Sequence, residues 1–293
     1  MHKAGFVNIV GNPNVGKSTL MNLLVGERIS IATFKAQTTR HRIMGIINTD
    51  EMQIVFSDTP GVLKPNYKLQ ESMLNFSVSA LKDADVLLYV TDVVEKPDKN
   101  LDFVEKVRHL DVPVLLLINK IDQSNQEALT KLVEEWATLL PNAEIIPISA
   151  IAKFNIDVVM KRIKELLPDS PPYFDKDQWT DKPARFFVTE IIREKILLYY
   201  DKEIPYAVEV VVEQFKEDEK SIHINAVIYV ERDSQKGIII GKQGRALKKV
   251  ATEARKSLER FFGKSIYLET FVKVDKDWRS SDKELKNFGY NLD

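Results

Sequence analysis

One octapeptide restricts the fold of this chain more than any other feature. Gly11-Asn12-Pro13-Asn14-Val15-Gly16-Lys17-Ser18 fits the pattern G-x-x-x-x-G-K-[ST]. The apolar run Phe6 to Val10 precedes it, and Leu20, Leu23 and Leu24 follow on one helical face. A strand entering such a loop and a helix leaving it turn backbone N–H groups inward around an anion, at a helix N-terminus whose dipole end is positive. Lys17 then reaches the outer phosphates of a nucleotide, the Ser18 hydroxyl is a candidate Mg²⁺ ligand, and Thr19 continues the loop into the helix. A chance Gly-rich turn would explain the loop but not its flanks.

Across residues 6 to about 167, short apolar runs alternate with longer segments of helical period, which predicts an α/β domain with a mostly parallel sheet flanked by helices. The expected strands are Phe6–Val10, Ile54–Phe56, Val86–Val90, Val114–Ile118 and Ile145–Ile148, each continuously apolar as a strand buried on both faces should be. Arg42 to Ile47 is expected antiparallel to Met52–Phe56 across the turn at Asn48-Thr49-Asp50. A helix from Phe154 to Leu167 closes the domain.

Three further motifs follow in order. Asp58-Thr59-Pro60-Gly61 comes after the Met52–Phe56 strand, where Asp58 can hold the magnesium shell and Gly61 can approach a γ-phosphate. Asn119-Lys120-Ile121-Asp122 comes after the Val114–Ile118 strand, and Asp122 can accept both N–H groups on the edge of guanine. Adenine would turn a lone pair toward that carboxylate, a mismatch worth about 10⁴- to 10⁵-fold in selectivity. Ser149-Ala150-Ile151 supplies a backbone N–H near the guanine carbonyl. Between the first two motifs, Gln37-Thr38-Thr39-Arg40-His41 carries two threonines, either of which can sense the γ-phosphate through magnesium. The sequence points to GTP and GDP with Mg²⁺, and to Lys17, Thr38, Thr39 and Gly61 as the catalytic set.

Ras-type GTPases place a glutamine after D-x-x-G to orient the attacking water. Here that position is Val62, which can neither orient nor deprotonate water, so slow intrinsic turnover is expected. Asn14 is a candidate ligand for K⁺, which would neutralise developing charge.

Pro168-Asp169-Ser170-Pro171-Pro172 cannot continue a helix and marks a boundary. The expected division is residues 1–167, a linker at 168–183, and 184–293. In the last part a helix (Ala184–Tyr199), two strands (Tyr206–Phe215, Ser221–Glu231), a short apolar turn, a basic helix (Arg245–Phe262) and a final strand (Ser265–Val274) make an α+β order. Ile240-Gly241-Lys242-Gln243-Gly244-Arg245 places G-x-x-G ahead of the basic helix, the device with which KH domains clamp about four nucleotides of single-stranded RNA. Lys248 and Lys249 add charge. From Lys236 to Lys264 nine Lys or Arg oppose Glu253 and Glu259, a local balance of +7 in a chain whose net charge is only -1. Such asymmetry suits an anionic partner. Phe186, Phe187, Tyr199 and Tyr200 have helical spacing and are expected in the core rather than as base-stacking platforms.

The absence of cysteine excludes disulfides and thiolate chemistry and leans toward a reducing compartment. No apolar run reaches the length of a membrane span, and the N-terminus lacks a signal-peptide core, so a cytoplasmic chain is expected.

The combination of Gly-Asn-Pro-Asn-Val-Gly-Lys-Ser, Gln-Thr-Thr-Arg-His, Asp-Thr-Pro-Gly, Asn-Lys-Ile-Asp and Ser-Ala-Ile with a C-terminal Gly-Lys-Gln-Gly segment resembles the Era-like family of bacterial GTPases over nearly the whole chain. The resemblance implies a KH domain of type II, with the strand pair preceding G-x-x-G. It also implies binding to the 3′ region of 16S ribosomal RNA, a role in maturation of the 30S subunit, a monomer, and loose peripheral association with the inner membrane.

Overall fold

The structure, a computed structural model, describes residues 2–290. It separates into two compact units: residues up to Asn66 with Gln70–Asp181, and Tyr67–Leu69 with the chain from Lys182 onward.

The first unit runs β1 (Lys3–Gly11), α1 (Lys17–Val25), β2 (Ile43–Asn48), β3 (Met52–Asp58), α2 (Lys68–Lys82), β4 (Val86–Asp92), α3 (Leu101–Arg108), β5 (Val114–Asn119), α4 (Gln126–Leu139), β6 (Glu144–Pro147) and α5 (Ile156–Leu166). The sheet order is β2-β3-β1-β4-β5-β6, with β2 antiparallel to β3 and the other pairings parallel. Alternate residues of each central strand serve opposite faces. Val7, Ile9, Leu88 and Leu115 pack with Leu20 and Leu24 of α1 and Val159 and Ile163 of α5, while Val10, Leu87, Tyr89 and Leu116 pack with Phe103, Val104 and Trp136 on the other side. Two buried faces explain why these strands read as unbroken apolar runs. The arrangement also collects the loops that leave the C-termini of the parallel strands β1, β3, β4, β5 and β6 at one edge, the usual ligand crevice of an open α/β sheet.

The segment expected to be a spacer lies along this sheet. Edge strand β2 presents unpaired backbone, and the chain after α5 satisfies it. Ile46 donates to the Trp179 carbonyl at 2.9 Å and Gly45 bridges Thr180, while Gln53 accepts from Tyr173 and Phe174 at 2.7 and 3.0 Å. Prolines stiffen the start of this segment, but backbone hydrogen bonding holds it against the first unit.

The second unit runs α6 (Ala184–Tyr199), β7 (Glu209–Glu217), β8 (Ser221–Val230), α7 (Asp233–Ile240), α8 (Arg245–Phe262), β9 (Ser265–Val274) and α9 (Asp282–Asn287). In its sheet, β8 is central, antiparallel to β7 and parallel to β9. The strand pair thus precedes the G-x-x-G loop. Two local expectations need correction. The apolar turn before Gly241 is the helix α7: Gln235 accepts from the N–H groups of Glu231 and Arg232 at its start, and Ile239 is fully buried in the core. Packing here overrides the strand preference of three consecutive isoleucines. Strand β7 begins at Glu209 because Ile204–Tyr206, containing Pro205, forms a 3₁₀ turn.

Candidate functional site

Gly16 caps α1 at φ 98°, a left-handed backbone that turns the loop into the helix. Lys17 is buried and donates through Nζ to the Asn12 carbonyl at 2.8 Å. Burial lowers its pKa to about 8, against the opposing fields of Asp58 and Glu95. A buried ammonium held by a carbonyl is poised to exchange that partner for phosphate oxygens.

Ser18, Thr39 and Asp58 come from α1, the loop before β2, and the end of β3. The Ser18 hydroxyl donates to Asp58 Oδ2 at 2.7 Å and lies 2.9 Å from Thr39 Oγ1, which is 3.4 Å from the same carboxylate oxygen. Asp58 Oδ1 is buried with no hydrogen-bond partner, and burial pushes the carboxyl pKa up against the pull of Lys17 and the neighbouring hydroxyls. An orphaned carboxylate oxygen beside two hydroxyls fits a hard divalent cation of the Mg²⁺ type. Thr38, the other candidate, donates to the Lys35 carbonyl at 2.6 Å and lies 2.7 Å from Thr33 Oγ1. The geometry therefore separates two threonines that the sequence left equivalent.

Asn119 ties three loops together. Its Nδ2 donates to the Val15 carbonyl at 2.8 Å, and its Oδ1 accepts from Lys120 and Ala150 at 2.8 and 3.0 Å. Asp122 accepts from Ser149 Oγ at 2.6 Å. Lys120, at φ 62°, donates to the Asn14 carbonyl at 2.6 Å and to Asp92 Oδ2 at 2.5 Å. Asp92, which motif reading missed, thus fixes the side chain of Lys120, which lines the cavity. Its only sequence signal is its place at the C-terminal end of β4.

A cavity of about 480 Å³ joins these parts, lined by Pro13, Asn14, Gly16 to Thr19, Thr38, Thr39, Gly61, Asn119, Lys120, Asp122, Ala150 and Ile151. It also includes Phe34, whose side chain is almost fully exposed and which no motif identified. Several candidate residues take supporting positions instead. Val15 belongs to the core, Thr59 is buried and donates to the Ile9 carbonyl, and the Pro60 carbonyl accepts from Ser77. Gly11 and Asn12 form the buried floor of the loop.

In the second unit, Gly241 and Gly244 have φ of 69° and 72°, and Gln243 between them has φ 53°. The loop presents Lys242, Gln243 and Arg245 to solvent, with Lys248 and Lys249 one turn along α8 and Gly241, Gly244 and Ile240 half-buried. The opposite side of α8, Val250, Ala254 and Leu258, is buried in the domain core. Phe187 and Tyr200 are buried as expected. Tyr199 is not: it is partly exposed, with Lys249 Nζ 4.3 Å from its ring centroid, because it closes α6 where the helix leaves the core.

Comparison with known proteins decides the family. Residues 6–120 match the model of the 50S ribosome-binding GTPase family, and residues 203–279 match the KH domain model. The crystal structure of a point variant of Aquifex aeolicus Era bound to GDP·AlF4⁻ is 39% identical, with a TM-score of 0.93 over 98% of this chain and 99% of that chain. The chain belongs to the Era family of GTPases. A second Era structure, in complex with MgGDPNP and nucleotides 1506–1542 of 16S ribosomal RNA, is also 39% identical, with a TM-score of 0.94 over 99% of both chains. This Era-family chain is a GTPase that binds GTP and GDP with Mg²⁺, on an α/β domain followed by a KH domain. No helix among the described residues is long and apolar enough to cross a membrane.

Proposed function

We propose that this chain is a GTP-dependent switch that binds the 3′ region of 16S ribosomal RNA through its KH domain and acts in assembly of the 30S subunit, working as a cytoplasmic monomer. The observation that carries the reading is whole-chain similarity to Era in complex with nucleotides 1506–1542 of 16S ribosomal RNA, together with a Gly241–Gly244 loop that exposes Lys242 and is followed by exposed Arg245, Lys248 and Lys249. Residues up to 167 form the nucleotide domain, 168–183 the connection and 184–293 the RNA-binding part.

In this reading Lys17 and the loop N–H groups from Asn14 to Thr19 hold the β- and γ-phosphates, Asp122 reads guanine, and Ser18, Thr39 and Asp58 hold Mg²⁺. When bound, Mg²⁺ supplies charge neutralisation at the phosphates. Asn14, at the mouth of the loop, holds K⁺, and equal GTP turnover in KCl and NaCl would remove that assignment. The γ-phosphate orders the Thr38-Thr39 loop and the segment after Gly61, and RNA affinity depends on nucleotide state by reciprocal coupling.

The test is binding of a single-stranded oligonucleotide with the 16S 3′-terminal sequence by the full chain with a GTP analogue, with GDP, and with neither. A Gly241→Asp, Gly244→Asp double variant, folded by its melting curve, should lose most of that binding. Retained affinity in the folded double variant, or identical affinity in all three nucleotide states, would overturn the reading.

A further inference from the structure

Val62 stands where Ras-type enzymes carry a water-orienting glutamine, and the structure shows what its side chain does instead. It is 4% exposed and packs in the core with Val10, Tyr89 and Phe103, pointing away from the nucleotide cavity. Of Gly61 and Val62, only Gly61 lines the cavity. The backbone of this pair is held tightly: a Cβ built on Gly61 would sit 2.7 Å from the N and Cα of Pro13, and the Val62 N–H donates to the Gly11 carbonyl at 3.0 Å.

The remaining polar group of Val62, its carbonyl, accepts from Asn100 Nδ2 at 3.2 Å, and the same Nδ2 donates to Asn12 Oδ1. The orientation of the amide follows from its partners, since a carbonyl oxygen can only accept and so must face the NH₂ group. Asn12 in turn receives the Lys17 ammonium on its own carbonyl. One side chain therefore joins the phosphate loop to the backbone of the residue that follows Gly61.

Asn100 occupies the N-cap position of α3, where an asparagine normally accepts from a backbone N–H of the first turn. Here it makes no such bond. Forgoing a cap sacrifices helix stability. The side chain is committed to the site.

We infer that Asn100 is a positioning residue for hydrolysis: by clamping the Val62 carbonyl to Asn12, it holds Val62, and through it the adjoining Gly61, at the distance from the phosphate loop that the attacking water requires. The chain has replaced a side chain that orients water by a backbone that is held from behind. Asn100 itself does not line the cavity. Its effect is on geometry at the reacting end of the site, and not on the grip on guanine or on the α- and β-phosphates.

Two variants of the full chain test this. Asn100→Ala removes the donor, and Asn100→Asp places a carboxylate against two oxygen acceptors; a melting curve of each variant confirms that it is folded under the assay conditions. With saturating GTP and Mg²⁺ in KCl, single-turnover hydrolysis should fall about tenfold in Asn100→Ala, the scale of one lost hydrogen bond, and further in Asn100→Asp. KM for GTP and the Kd for a fluorescent GDP analogue should stay within about threefold of wild type. Hydrolysis within about twofold of wild type in both variants would overturn the inference. So would a loss of GDP affinity that matches the loss of rate, because Asn100 would then be supporting the phosphate loop as a whole.

Discussion

The hydroxyls of Ser18 and Thr39 lie 2.9 Å apart although the residues are separated by a helix and a loop, and both converge on Asp58 Oδ2. The neighbouring Thr38 turns instead to Thr33 and the Lys35 carbonyl. Adjacent threonines with the same chemistry are thus given separate partners, one beside Ser18 and Asp58 and one inside its own loop.

Thr39→Ala should therefore reduce single-turnover GTP hydrolysis by about 10- to 100-fold, the range expected for losing an interaction with a charged centre. Thr38→Ala should cost less than about threefold. Quenched-flow measurement of both variants decides the matter, and equal losses would contradict the assignment of Thr39.

Among the described residues no group of three or more His, Cys, Asp or Glu could hold a metal, and the candidate centre has one carboxylate and two hydroxyls. Mg²⁺ prefers about six oxygens in octahedral array, so phosphate and water must complete the shell. Mg²⁺ alone should leave the melting temperature unchanged, whereas Mg²⁺ with GDP should raise it, by about 2.7 kcal/mol of stability at 100 times Kd. Adding EDTA to the GDP complex should remove the increment that depends on the metal. A clear shift with Mg²⁺ alone, in thermal denaturation followed by circular dichroism, would contradict this.

Asp122 lines the cavity and is held by Ser149 Oγ at 2.6 Å. Asp122→Asn replaces an acceptor of two N–H groups by an amide that can donate, so GTP affinity should fall by about 100-fold or more. Xanthosine triphosphate carries a carbonyl where guanine carries its amino group, and it should bind the variant better than GTP does. Competition against a fluorescent GDP analogue measures both, and an unchanged preference for GTP would contradict the role of Asp122.

Burial lowers Lys17 from 10.5 to about 8. Between those values the unfolded chain holds the proton and the folded chain, without nucleotide, does not, so this group makes folding more favourable as pH rises from about 8 to 10.5. Phosphate oxygens favour the charged form. GDP binding at about pH 8.5 should therefore take up a substantial fraction of a proton, and at about pH 6.5 almost none. Calorimetry in two buffers of different ionisation enthalpy reads this directly. An enthalpy independent of buffer at the higher pH, or the same uptake in Lys17→Met, would rule the lysine out as its source.

The strands, the helix after the phosphate loop, α6, α8 and β9 were all legible in the sequence, because each is specified by apolar period and by local breakers. The helix α7 was not, since three consecutive isoleucines have strand propensity and only the burial of Ile239 against the sheet makes them helical. Residues 168–183 read as a spacer because of the prolines at their start. Their bonds to β2 and Gln53 involve partners more than 100 positions away, which no local pattern encodes.

What the amino-acid sequence determined by itself is the nucleotide chemistry: Gly11 to Ser18, Asp58 to Gly61 and Asn119 to Asp122 are short motifs whose function depends on residues next to one another and on the strand or helix that flanks them. The tertiary structure alone decided which threonine meets Ser18, that Val62 is core and not an actor in the cavity, that Asp92 steadies Lys120, and that Asn100 leaves its own helix uncapped to reach Asn12 and Val62. The physical reason is range. A motif is written in consecutive residues, whereas a clamp between two loops exists only once strand order and helix packing have brought their side chains within hydrogen-bond distance.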